Sequence, residues 1–375
     1  MELQDIMLGD VWVCSGQSNM EHPVAGYSNQ PVENSLDYIL ESGEYPGIRV
    51  FTVEKIAAVT PQEEVKGKWE KPAVGTTPHF SATAWFFART LNRTLGIPIG
   101  IIHTSWGGAT IETWLDRETL QKYPHFNPAS IDMAAKKPQY RQTMLYNSML
   151  YPLRHLCVKG FTWFQGESNV HGYKVYRSLF EDLVKKWRGL FQHAEKAPFY
   201  FVQLSPYGSG QKDRTAFLRE AQTACLSIPY TGMAVTMDIG NRMIVHLAKK
   251  ETVGRRLAYQ ALAKTYGMDI PCDGPTFKKA EIEGNKMLLT FDHADGGLCP
   301  LYTPLEGFEI AGEDGKFYPA TARVRFEDQL TVWAAEVKQP KYVRYGFRNF
   351  IEGTLYNAFH LPAVPFRTDH FDPVK

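Results

Sequence analysis

The chain has 375 residues, 44% of them hydrophobic, with 41 basic residues against 40 acidic ones. That length holds one large or two ordinary domains with a sizeable core. The balanced charge offers no electrostatic platform for nucleic acid or an anionic membrane. No apolar run is long enough to span a bilayer as a helix.

The first element is Gly9-Asp10-Val11-Trp12-Val13-Cys14-Ser15-Gly16-Gln17-Ser18-Asn19-Met20. Its apolar run reads as a buried strand over 9–14, and Gly16 then permits a tight turn. Ser18 stands just past that turn, where a hydroxyl and its own backbone N–H could meet one electrophile, as acyl transfer requires. A helix N-cap serine would look the same on this segment alone.

Residues 21–80 read as an insertion beside the cleft, with a strand-like piece at Ile48–Val53. A helical pattern follows at 81–95, then an apolar β-branched strand over 98–104 ending in Ser105-Trp106-Gly107-Gly108. A helix is expected at 139–155. A third apolar strand, 158–164, ends in Gln165-Gly166-Glu167-Ser168-Asn169. Helix 173–191 carries Tyr176, Leu179, Phe180, Leu183, Val184, Trp187 and Leu190 on one face and is structural. Strands 199–204 and 233–237 and helices 214–226 and 248–266 complete the alternation. Five strands separated by helices imply a parallel sheet covered on both faces. In such sheets ligands bind beyond the carboxyl ends of the strands. Three glycine-bearing polar turns would gather there, offering Ser18, an N–H from Gly107 or Gly108, and an amide from Gln165 or Asn169.

From Pro271 the texture changes to short β runs with hairpin turns at Glu283–Lys286 and Glu313–Lys316. This divides the chain into a catalytic domain over 1–270 and an antiparallel β region over 271–375 packed against it. The five cysteines show neither CxxC nor Cys/His metal spacing. Cys14 and Cys157 are expected to be inert core thiols, and Cys272 and Cys299 could pair in an exported protein.

The motifs GDVWVCSGQSNM (9–20), IGIIHTSWGGATIETW (99–114), LYNSMLYPL (145–153), KGFTWFQGESN (159–169) and LYNAFHLPAVPFRTD (355–369) resemble the sialate O-acetylesterase family of SGNH-type serine esterases. The resemblance runs nearly end to end. It implies a flavodoxin-like SGNH-hydrolase fold and hydrolysis of O-acetyl groups on sugars, foremost 9-O-acetylated sialic acids. It implies no metal or organic cofactor, and a small-molecule or glycan substrate as the partner. Family members often carry a leader and a small β-rich region ahead of the first strand. The amino terminus here shows no basic segment followed by an apolar one.

The resemblance also points to the base. His246 follows the strand ending at Asp238 and precedes Lys250-Glu251-Thr252-Val253-Gly254-Arg255-Arg256-Leu257, a match to the family's histidine segment. Leu247 replaces the family's proline. Many SGNH esterases place an aspartate three residues before the histidine; here Met243 stands there. Asp238 reaching around the loop is one expectation. A Ser18–His246 dyad whose imidazole is oriented by a backbone carbonyl is the other, and the favoured one. Gln165 is favoured over Asn169 as the side-chain oxyanion donor because it comes first after the strand. Gln17, Asn19, Trp106 and Glu167 are candidates to touch substrate, with Glu167 also suited to brace its loop. His103 reads as a hydrogen-bonded core histidine, and His22 and His79 could border the cleft. The alternatives are an esterase for acetylxylan or another acetylated carbohydrate, and a carbohydrate-binding protein on a degenerate esterase scaffold.

Overall fold

The computed structural model describes residues 5–131, 136–208, 210, 213–301 and 303–372. Its largest sheet is built from β1 (Asp10–Gly16), β2 (Ile48–Val53), β3 (Gly67–Glu70), β4 (Ile99–Ser105), β5 (Gly160–Phe164), β6 (Phe199–Val202) and β7 (Thr231–Ala234). The spatial order is β3-β2-β4-β1-β5-β6-β7, with every neighbouring pair parallel except β2–β3. The expected five strands, β4-β1-β5-β6-β7, form the flavodoxin-like core, whose order reverses at β1. The insertion adds the two others. Ile48, Val50 and Val53 are buried, and β2 extends the parallel sheet beyond β4. Antiparallel β3 closes that edge.

β1 lies at the centre, and Trp12, Val13 and Cys14 are fully buried, as a strand covered on both faces demands. The covering helices are α1 (Ala82–Leu95), α2 (Tyr173–Leu190), α3 (Arg214–Ala224) and α4 (Lys250–Lys264). α1 and α4 pack on each other over one face. Ser81 caps α1 through the Ala84 N–H at 3.1 Å, and Gly96 ends it in the left-handed region. Gly254 allows the close approach of α4, since a Cβ there would lie 2.5 Å from that of Phe86. The other face is covered by α2 and α3, again packed together. The apolar face of α2 is buried as expected, with Phe180 edge-on to Phe199 and Phe201 at 5.4 and 4.9 Å. Each such aromatic contributes roughly 1.5–3 kcal/mol through removal of apolar area from water.

The helix expected at 139–155 is not an α-helix. Residues Tyr146–Leu150 form a π turn and Tyr151–Leu153 a 3-10 turn. Pro152 supplies no N–H, and Asn147 and Ser148 turn their side chains to the backbone carbonyls of Ala58, Val59 and Ile56. Cys157 is exposed, contrary to the core expectation, and all five cysteines are free, Cys272 and Cys299 included.

Beyond residue 271 lie two four-stranded antiparallel sheets around a second apolar cluster that includes Leu289, Phe291, Ile310, Leu330, Val332 and Tyr345. The first hairpin pairs Glu283 with Lys286 across Gly284-Asn285, where the turn was expected. This region docks on α3. Asn349 accepts from the Thr215 N–H at 3.0 Å, and Arg367 is paired with Glu220 at 2.7 Å.

Candidate active site

The register of the central strands brings the three glycine turns together. Gly16 is level with both Ser105 and Phe164, the last residues of β4 and β5. Gly16 has φ +145°, and a Cβ there would lie 2.1 Å from the Phe164 carbonyl oxygen. A substituted residue would push the serine turn off β5. Ser18 opens a four-residue helical turn whose N-cap position is Gln17, so it is not the capping residue. Its side chain is half-buried, and among the described residues its backbone N–H makes no hydrogen bond.

Asn19 ties this turn to the histidine loop. Its Nδ2 donates to the Val245 carbonyl at 3.0 Å, and its Oδ1 accepts from the Leu247 N–H at 3.4 Å. The residues on either side of His246 are therefore anchored to the residue after Ser18. His246 is half-buried, and its Nδ1 lies 2.5 Å from Gln30 Oε1. Among the described residues Nε2 has no partner. Burial, helped by the nearby Lys250 cation, lowers its pKa to about 4, so the imidazole is neutral at pH 7.

Asp238 does not reach His246. Its two oxygens are each 2.7 Å from the Arg256 guanidinium, with both side chains under a tenth exposed. A bidentate pair with arginine satisfies the carboxylate and fixes it away from the histidine. Asp238→Asn is expected to lower the melting temperature, since losing one partner of a buried pair costs up to roughly 3–5 kcal/mol. The same variant should keep kcat/KM within about threefold, whereas neutralising the orienting aspartate of a true triad costs about 10⁴-fold.

The amide donors also sort differently from expectation. Gln165 is fully buried, and its Nε2 donates to the Ala109 carbonyl at 3.2 Å and to Asn169 Oδ1 at 2.6 Å. Both hydrogens are committed, and Gln165 is a brace. Asn169 spends one hydrogen on Glu112 at 2.9 Å and keeps the other. Gly107 packs against Ser18, but its N–H donates to the Glu21 carboxylate, which also pairs with Lys55. The Gly108 N–H makes no hydrogen bond among the described residues.

Three of the four candidate substrate contacts prove to be internal braces. Gln17 accepts from the Gly166 and Ser168 N–H groups, tying the first turn to the third. Asn19 is fully buried, and Glu167 accepts from its Nδ2 at 2.6 Å. Burial pushes the Glu167 carboxyl pKa up. Trp106 is partly exposed and packs against the core. His103 is buried and bonded to Ser105 at 2.6 Å, as read from the sequence. His79 is exposed, whereas His22 is fully buried, 5.4 Å from the His246 ring.

Sequence reasoning missed Glu21, Gln30 and Lys250. Lys250 is fully buried and donates to the Asn19 carbonyl at 2.8 Å and to Asn19 Oδ1 at 2.6 Å. A signal for it existed. A lysine in the first turn of a helix opposes the helix dipole and calls for a specific acceptor. Gln30 had no local signal.

A family model for carbohydrate esterase, sialic acid-specific acetylesterase, matches residues 8–263. The chain is 31% identical over 347 residues to a sialate O-acetylesterase of Mus musculus and 32% identical over 321 residues to that of Homo sapiens. Each match covers 78% of this chain but only 63% and 60% of those proteins, so the chain spans about three fifths of their length. Among solved structures, a carbohydrate acetylesterase from Xanthomonas citri superposes with a TM-score of 0.87 at 35% identity, covering 97% of this chain and 81% of that one. With a flavodoxin-like sheet and three glycine turns meeting at its order reversal, the chain belongs to the sialic acid-specific acetylesterase family of carbohydrate esterases.

Proposed function

We propose that this protein is a serine esterase that removes O-acetyl groups from sugars, with Ser18 as nucleophile and His246 as base. The observation that carries the reading is Asn19, which hydrogen-bonds both neighbours of His246 while following Ser18 in the chain. Ser18 Oγ attacks the acetyl carbonyl, and His246 Nε2 accepts its proton. The oxyanion is met by the N–H groups of Ser18 and Gly108 and the remaining Asn169 amide hydrogen. Gly107 joins them where Glu21 moves aside. Removing one such donor typically costs about 10²–10³ in kcat. His246 then gives its proton to the departing sugar oxygen, which leaves as the free hydroxyl, and water activated by the same histidine releases acetate. The fold, the neutral histidine and the free N–H groups together need no metal or cofactor for these steps.

The names of the mammalian relatives favour an O-acetylated sialic acid as substrate. The Xanthomonas citri structure, a carbohydrate acetylesterase at higher identity and coverage, leaves room for another acetylated carbohydrate, and acetylxylan is the alternative to test. Acetate release from 9-O-acetylated sialic acid, acetylxylan and p-nitrophenyl acetate separates the two. Fluorophosphonate labelling at Ser18 separates an enzyme from a carbohydrate-binding protein. Absence of both labelling and acetate release would overturn the esterase reading.

A further inference from the structure

Where an SGNH-type site would place a carboxylate on the histidine, this chain places Gln30. The position three residues before His246 is Met243, 80% exposed and turned to solvent. Asp238 is held by Arg256. Gln30 instead comes from the insertion, from the end of a turn closed by reciprocal hydrogen bonds of 3.0 Å between Tyr27 and Gln30. The Tyr27 ring packs against both His22 and His246, at 4.7 and 5.2 Å. The Gln30 carbonyl is also fixed, 3.0 Å from His22 Nε2. The side-chain amide that faces His246 is thus set on a rigid, twice-anchored support.

We infer that Gln30 is the positioning residue of the catalytic histidine, its neutral amide oxygen accepting the Nδ1 proton in place of a carboxylate. The inference rests on the esterase reading above. Holding the proton on Nδ1 leaves Nε2 as the lone pair that takes the serine proton. A neutral acceptor fixes the tautomer without stabilising the imidazolium. The base therefore stays weak and unprotonated into mildly acidic solution. The other ionisable groups around the ring are His22 and Glu21 from the first turn, Tyr27 from the insertion, Lys250 and Lys249 from the start of α4, and Glu352 across the adjoining pocket. Glu21 is the carboxylate among them whose charge raises the His246 pKa, and it is engaged by Lys55 and Gly107.

The test is the pH profile of kcat/KM on p-nitrophenyl acetate for wild type, Gln30→Glu and Gln30→Ala, with Ser18→Ala as control. Gln30→Glu puts a charge where the neutral oxygen was. Its acid limb should move up by about one pH unit or more, because an adjacent carboxylate favours the charged imidazole. Gln30→Ala should lose about 10–100-fold in kcat, with KM within about threefold, since the ring loses its orientation but not its chemistry. An unmoved acid limb in Gln30→Glu, or full kcat in Gln30→Ala, would overturn the role of Gln30. Wild-type activity that persists in Ser18→Ala would overturn the underlying esterase reading instead. If Gln30→Ala does not fold, Gln30→Glu, of nearly equal shape, decides alone.

Discussion

Ser18→Ala and His246→Ala are each expected to lower acetate release by at least about 10⁴-fold, because nucleophile and base act as one unit. The double variant should be little worse than either single one. What remains would come from the backbone N–H at position 18, the Gly108 N–H, the Asn169 amide and substrate positioning, none of which needs the hydroxyl. Both changes should leave the fold intact. Among the described residues Ser18 Oγ makes no hydrogen bond, and the loop around His246 is held by Asn19 through Val245 and Leu247 as well as by the imidazole's bond to Gln30. Acetate release and thermal melting measured on the same samples check this. A folded Ser18→Ala protein keeping more than about 1% of activity, far above what a broken Ser–His pair retains, would remove Ser18 from the mechanism.

Lys250→Met should change the pH dependence of stability more than any other substitution near the site. Lys250 is fully buried, and burial lowers its pKa from 10.5 to about 7, although the Glu167 charge pulls it back up. Between pH 7 and 10.5 the unfolded chain holds the lysine proton and the folded chain has released it. Folding stability from this group therefore rises with pH across that window. Below pH 7 the folded protein carries the full penalty of the buried cation, on the order of 5 kcal/mol relative to pH 10.5. Lys250→Met should flatten this rise, seen as a loss of slope in denaturant unfolding measured from about pH 7 to about pH 10. The variant should also be slower, by about 10²-fold, because the Asn19 carbonyl and Oδ1 lose their donor and the serine turn is free to shift. A wild-type slope unchanged in Lys250→Met would mean that the ammonium is not the titrating group.

These expectations divide by the range over which their causes act. The sequence by itself determined what depends on near neighbours. Alternating or continuous apolar runs produced β1, β4, β5 and β6, and a 3.6-residue period produced α2 with its buried face. Gly16 marked a turn that no other residue could make against Phe164. Gly284-Asn285 marked a two-residue hairpin. The serine turn and the histidine loop were legible because their flanking strand and helix patterns are local, and the family motifs sit on them.

Only the tertiary structure decided which polar group each polar group would choose. Asp238 could have reached His246 from its place in the chain, but Arg256 on α4 captures it with two hydrogen bonds. Gln165 precedes Asn169 in the chain, yet Asn169 Oδ1 and the Ala109 carbonyl consume both its hydrogens. Gln30 meets His246 across 216 positions of sequence. The insertion strand 48–53 was visible as a strand, but its place beside β4 required the sheet to exist first. Apolar patterning repeats along the chain and can be read as a period. A hydrogen bond between distant side chains has no period, and its partner is settled only when burial removes water as the competing donor and acceptor.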